Sequence, residues 1–171
     1  MTQAPPEELK GEKCPMCLNN TLTLRQMERI IPHFGPAAIF SMACEKEDCD
    51  FYQSDVESLE DKDSVKQSFK VEKEDDLKIK VVKGSSARVK IGRVGSIEPI
   101  ESSSGYITTI EGLIKRLKTQ IEGVRDSAKD KSKRKKAKRH IKKLQKVLWG
   151  RDTINIKLED PTGNSKILLE E

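Results

Sequence analysis

This 171-residue sequence predicts a mainly β fold, interrupted by one helical hairpin and clipped by a metal near its N-terminal end. Three observations carry that reading: four cysteines in two close pairs, several short runs in which β-branched and polar residues alternate, and one region of helical apolar spacing. A chain of this length holds one ordinary domain, or a small metal module joined to a domain of middling size. Hydrophobic residues make up 35% and aromatic residues 4%, against 36% charged. The core must therefore be thin and built from Ile, Val and Leu, and a metal staple would help it. Apolar residues recur in every segment after Gly11, which argues against a disordered chain.

In chain order, residues 1–10 read as a flexible tail. Residues 11–58 read as a small ribbon, in which the cysteine pairs bracket two apolar-rich runs, Thr21 to Ile31 and Ala37 to Ala43, with Pro32 and Gly35-Pro36 between them. Residues 59–171 form the second unit. A charged connector, Glu57 to Asp76, joins the two units and holds one short strand around Phe69 to Val71. Leu77 to Val82 and Ala87 to Ile91 then read as strands around the turn Lys83-Gly84-Ser85-Ser86. Arg93 to Ser104 reads as an irregular connection. Leu113, Leu117, Ile121 and Val124, and later Ala137, Ile141, Leu144 and Leu148, fall at helical spacing, giving a helical hairpin over about 108–149. Ile154, Ile156 and Leu158 alternate before Asp160-Pro161-Thr162-Gly163, and Lys166 to Leu169 follows, which reads as a terminal β-hairpin.

The cysteines carry the strongest chemical signal. Cys14 and Cys17 enclose two residues, Cys44 and Cys49 enclose four, and 26 residues separate the pairs. Two tight loops, each offering two thiolates, let a short chain surround one tetrahedral Zn²⁺. Free core thiols or two disulfides are the plainer readings. Four cysteines would saturate the ion, so the expected role is structural rather than catalytic.

Charge and hydropathy limit the rest. No apolar run approaches the roughly 20 residues that cross a bilayer. The stretch Met1 to Glu8 is polar, so no signal or transit peptide is expected and a cytoplasmic location follows, where thiols stay reduced and favour metal. The net charge of +5 is uneven: Arg125 to Lys146 carries twelve Lys or Arg against two acids, a local +10, which leaves −5 on the remaining residues.

A set of short motifs points to a family. Ile30-Ile31-Pro32-His33-Phe34 follows the first cysteine pair and Asp55-Val56-Glu57 the second. Asp76-Leu77 with Val81-Val82-Lys83, Thr108-Thr109-Ile110-Glu111-Gly112-Leu113-Ile114 and Asp160-Pro161-Thr162-Gly163-Asn164-Ser165 come after, in order. Together, from about Gly11 to Leu169, they resemble the ZPR-type zinc-finger family in its single-module, archaeal-like form. The resemblance implies a zinc ribbon followed by a double-stranded β-helix-like domain with an inserted α-hairpin. It also implies a partner: members bind translation elongation factor 1-alpha, and the eukaryotic ones assist its folding, with GTP or GDP held by that partner. The chain departs from the family's usual pattern in three places. Four residues rather than two separate Cys44 from Cys49, Asp50 stands where glycine is usual, and Lys78 stands where arginine is usual.

Most of these motifs also have local explanations. In Thr108-Thr109-Ile110-Glu111 a threonine cap with glutamate three residues on is a sufficient helix start, and Asp160 to Gly163 is a sufficient turn. Asn164 and Ser165 exceed what the turn requires, so they are candidates for partner contact beside a turn-only role. Ile31, Pro32 and Phe34 are the candidate protruding surface of the ribbon, against the alternative that Phe34 packs on the ribbon itself. Lys133, Lys135, Lys136 and Lys138 mark a basic surface. It could hold nucleic acid, although a lysine-rich helix face is usually solvated, no aromatic residues interleave with it, and Trp149 reads as core.

No enzyme is expected. The two histidines, His33 and His140, stand near no candidate nucleophile, every cysteine is committed to metal, and no phosphate-cradling Gly-x-x-x-x-Gly-Lys-Ser/Thr loop occurs. The expected function is a zinc-stabilised binding protein that recognises elongation factor 1-alpha and assists its folding, with a nucleic-acid-binding ribbon using residues 129–146 as the alternative and a plain scaffold subunit as a third.

Overall fold

Strand propensity and the metal loops dictate the first layer of this computed structural model, which describes residues 5–60, 62–100 and 103–169. β1 (Glu7–Glu12), β2 (Leu22–Ile31), β3 (Gly35–Cys44) and β4 (Tyr52–Ser58) form one antiparallel sheet in that order. β2 and β3 pair without interruption from Leu22 opposite Cys44 to Ile31 opposite Gly35. Their turn is closed by the Phe34 N–H donating to the Ile31 carbonyl at 3.0 Å. Pro32 presets φ at its second position, and His33 takes the positive φ of 61° that the third position demands.

The tail expected over residues 1–10 is corrected for its second half. Residues 1–4 lie outside the described residues, but Glu7 to Glu12 is an edge strand paired with β2, tied by the Glu8 carboxylate on Arg25 at 2.7 Å. Main-chain pairing at an edge needs no apolar side chain, and every residue of β1 is exposed, so composition could not reveal it.

The second unit is a sandwich. β5 (Val65–Val71), β6 (Lys80–Lys83), β7 (Arg88–Ile91), β8 (Gly95–Ile97), β9 (Tyr106–Thr109), β10 (Ile154–Asp160) and β11 (Lys166–Leu168) divide into two sheets, ordered β5-β10-β7-β8 and β11-β6-β9. Their inward faces meet through Val71, Val89, Ile91, Ile154, Ile156 and Leu158 from the first sheet and Val81 and Ile167 from the second. α1 (Ile110–Ser127) and α2 (Lys131–Leu148) cover one side with Leu113, Ile114, Leu117, Leu144 and Val147. This is the double-stranded β-helix arrangement, with a helical hairpin inserted between β9 and β10. Thr109 caps α1 by accepting from the Gly112 N–H at 3.1 Å, and Asp130 caps α2 through the Ser132 N–H at 2.8 Å.

Pairing departs from expectation further than strand position does. β10 and β11 are not a hairpin: β10 is flanked by β5 and β7, whereas β11 pairs with β6. Likewise β6 and β7 flank a turn but belong to different sheets, because β6 takes β9 as its second neighbour. Alternation marks which residues face inward, and both arrangements satisfy it equally. The charged connector holds the last two residues of β4 and all of β5, and the irregular stretch after Ile91 contains β8.

The ribbon and the sandwich share a core. Ile31, Phe34, Ala37 and Val56 from the ribbon pack with Val82 and Leu168 from the sandwich. Asn164 accepts from the Ser58 N–H at 2.8 Å, and Ser54 donates to the Gly105 carbonyl at 2.9 Å. Gly105 permits that approach, since an added Cβ would lie 2.8 Å from the Val56 nitrogen.

Candidate metal centre

The two cysteine loops converge because β2 and β3 bring Thr21 and Cys44 together at the open end of their hairpin. The Glu45 N–H donates to the Thr21 carbonyl at 2.8 Å. In the first loop, the Cys14 N–H reaches the Asn19 carbonyl at 2.8 Å and Leu18 turns back with φ of 61° to reach the Cys14 carbonyl at 2.9 Å. In the second, the Cys49 N–H bonds the Lys46 carbonyl at 3.0 Å, so the two extra residues form a turn and leave the sulfur in place.

The four sulfurs lie within 4.8 Å of one another, with Cys14 to Cys49 at 3.8 Å and Cys17 to Cys44 at 3.7 Å. Ligands on a tetrahedron of about 2.3 Å radius stand about 3.8 Å apart, so the donor set fits Zn²⁺ in both chemistry and spacing. Disulfide sulfurs would stand about 2.05 Å apart, which removes that reading. The thiols also fit a metal electrostatically. Hydrogen bonding from the Asn19 main chain holds Cys17 down at about 6, against desolvation. The Thr21 hydroxyl, 3.1 Å from its sulfur, lowers Cys44. Cys49 is pushed up to about 12: the Phe51 main chain lowers it, but desolvation and the neighbouring sulfurs outweigh that. Four thiolates at this spacing need a cation between them. Cys14, Cys17, Cys44 and Cys49 are the site of one structural zinc, which would staple the cluster of Leu22, Leu24, Met42 and Phe51.

The expected partner-contact residues fare differently. Ile31 and Phe34 do not protrude, because the sandwich covers them: Phe34 is 5% exposed and its ring carries the Lys62 ammonium 3.5 Å from its centroid. Pro32 alone of the three is exposed. Ser165 is buried as well, donating to Asp160 and accepting from the Gly84 N–H at 2.8 Å, while Asn164 bridges to the ribbon. Ile31, Phe34, Asn164 and Ser165 thus each hold the fold together, and Pro32 stands in solvent. Lys133, Lys135, Lys136 and Lys138 are exposed on α2, as expected of a basic surface, but Trp149 is 58% exposed rather than core.

Sequence reasoning also missed a cleft of about 700 Å³ at the junction of the two units, lined by Tyr52 and Ser54 of the ribbon, Tyr106 and Lys83 of the sandwich, and Arg116 of α1. Lys83 is 2% exposed, and its ammonium donates to the Gly84 carbonyl at 3.0 Å. Burial lowers its pKa, opposed by the charges of Asp160 and Asp55. The Arg116 guanidinium lies 4.2 Å from the Tyr106 ring centroid, and burial raises the phenol's pKa. One signal was available: Lys83 stands two residues after Val81 in a strand and so shares its inward face.

A zinc ribbon welded to a helix-bearing jelly roll defines a compact class of zinc-finger protein, and the comparisons with known proteins place the chain within it. The model of the ZPR1 jelly-roll domain matches residues 75–170, which hold the helical hairpin and every strand of the sandwich except β5. A ZPR1-like protein of Methanocaldococcus jannaschii is 32% identical over 96% of this chain and 83% of its own length. One from Pyrococcus horikoshii is 32% identical over 96% and 79%. The zinc finger chaperone zpr1 of Schizosaccharomyces pombe is 28% identical over 90% of this chain, which spans 33% of that longer protein. The chain belongs to the ZPR1 family.

Proposed function

We propose that this protein is a binding protein of the chaperone kind, recognising translation elongation factor 1-alpha and assisting its folding, and that it catalyses no reaction itself. Membership of the ZPR1 family supports the reading, as does the chaperone in the name of the fission-yeast relative. The observation that carries it is the junction cleft. A shared core fixes ribbon and sandwich together, and between them they leave an open groove that combines exposed Tyr52 and Arg116 with buried Lys83. Aromatic and arginine side chains beside a desolvated cation are the groups on which protein recognition most often turns. His33 has a turn to make, and His140 lies among Lys136 and Arg139 with its pKa lowered by desolvation first and by those charges next. GTP or GDP would belong to the partner.

The test uses the purified chain and purified elongation factor 1-alpha, mixed in GTP and in GDP. A co-eluting complex and a higher yield of refolded factor are expected, and Arg116→Glu should weaken the complex about tenfold or more with the zinc content unchanged. No complex in either nucleotide, with refolding yield unaltered, would overturn the proposal.

A further inference from the structure

We infer that the outer face of the helical hairpin is a binding site for single-stranded nucleic acid, with Trp149 as the base-stacking platform and Lys138, Lys142, Lys146 and Arg151 as the phosphate contacts. Three observations carry this, and none depends on the elongation-factor reading. The cations are arranged: Lys138, Lys142 and Lys146 recur every four residues along α2, about 6 Å apart on the helix axis, in a row that a phosphate backbone can follow. They are also uncompensated. Among the described residues no carboxylate lies within 4.0 Å of these three lysines or of Arg151, although Lys118 and Lys143 nearby have such partners in Glu122 and Asp152. The row borders a groove of about 440 Å³ between the helices, lined also by Ile141 and, from α1, by Glu122 and by Arg125, which is paired with Asp126 at 2.7 Å.

The third observation is the ring itself. Trp149, the one tryptophan of the chain, ends α2 in solvent, 58% exposed, with the Arg151 guanidinium 5.4 Å from its centroid. A tryptophan that anchors a protein interface sits among apolar neighbours that exclude water. This one borders a groove edged by Lys138, Lys142, Lys146 and Arg151, with Glu74 and Leu148 lining a second hollow beside it, and a ring next to such a row of cations is the combination of stacking surface and positive charge that holds unpaired bases. A duplex offers no free base face to stack, so the ligand is a single strand.

Trp149 also supplies the readout, because no other tryptophan contributes to the fluorescence. The full zinc-loaded chain would be titrated with oligouridine RNA, the matching oligothymidine DNA, a duplex and polyglutamate. Quenching by a single strand supports the site, and the tighter of the RNA and DNA arms identifies the preferred strand. With four phosphate contacts, affinity should fall about fifty-fold between about 50 and about 200 mM salt. Trp149→Ala should weaken binding of a labelled strand about tenfold, and Lys138, Lys142 and Lys146 all changed to Gln should remove most of the salt dependence. All four side chains lie on the surface, and unchanged zinc content and circular dichroism would confirm that the variants fold. Absence of quenching by both single strands, or equally tight and equally salt-dependent binding of polyglutamate, would overturn the inference; the second result would assign the face to an acidic protein.

Discussion

At the residue scale, the zinc site converts four weak acids into one structural element. A metal binds thiolates, so protons compete with it, and affinity rises with pH. Cys17 is held at about 6 in the free ribbon and Cys49 at about 12, so acidification first takes up protons that zinc must displace and finally protonates even Cys17. Zinc transfer to a colorimetric chelator should therefore become easier from about pH 8 to about pH 5. Cys44→Ser should lower the bound zinc from one per chain to none, read by elemental analysis, since three thiolates and an alcohol bind far more weakly. Ser165 makes a different case. Its hydroxyl satisfies both Asp160 and the Gly84 N–H inside the fold, so Ser165→Ala should cost about 1–3 kcal/mol in denaturant unfolding. Binding to a partner should be unaffected except through that loss. Asn164 and Ser165 looked like surplus to a turn because sequence shows the turn and not the ribbon and strand that close over it.

Among elements, the β2–β3 turn is the clearest example of a motif with a structural purpose. Pro32 and His33 shape the reversal, and Ile31 and Phe34 on either side are delivered into the core formed with Val82 and Leu168. Phe34→Ala should destabilise the chain by about 3–5 kcal/mol, measured by urea unfolding, because it leaves a cavity in the seam. A display role for Phe34 would instead predict near-unchanged stability. The helical hairpin was legible in the sequence, as the spacing of Leu113, Leu117, Leu144 and Leu148 fixes which face is apolar. The fate of Trp149 was not, since its position at the end of an apolar stripe fits burial and exposure equally, and only the direction in which α2 ends decides.

On the scale of the whole molecule, three apolar clusters divide the work: the sandwich core, the seam and the cluster around the cysteines. The cluster around the cysteines depends on the metal, whereas the core of Val81, Val89, Ile156 and Leu158 does not touch it. Removing zinc with a strong chelator should therefore deprotect the amides of Leu22 to Leu24 and Met42 to Cys44 in hydrogen exchange while leaving β7 and β10 protected. Loss of protection throughout would mean that ribbon and sandwich fold as one cooperative unit through their seam. Among the described residues no helix is long and apolar enough to cross a membrane.

The sequence by itself determined the zinc ligands, the positions of most strands, the helical hairpin and the order of the parts. Each of these follows from local spacing: two cysteines per tight loop, period two for strands, and 3.6 for helices. Tertiary structure alone decided that β10 sits between β5 and β7, that Phe34 and Ser165 are sealed in, that Lys83 lines a cleft, and that Trp149 faces solvent. Those outcomes depend on which distant segments pack together, and a periodic pattern states that a face will be covered without stating by what.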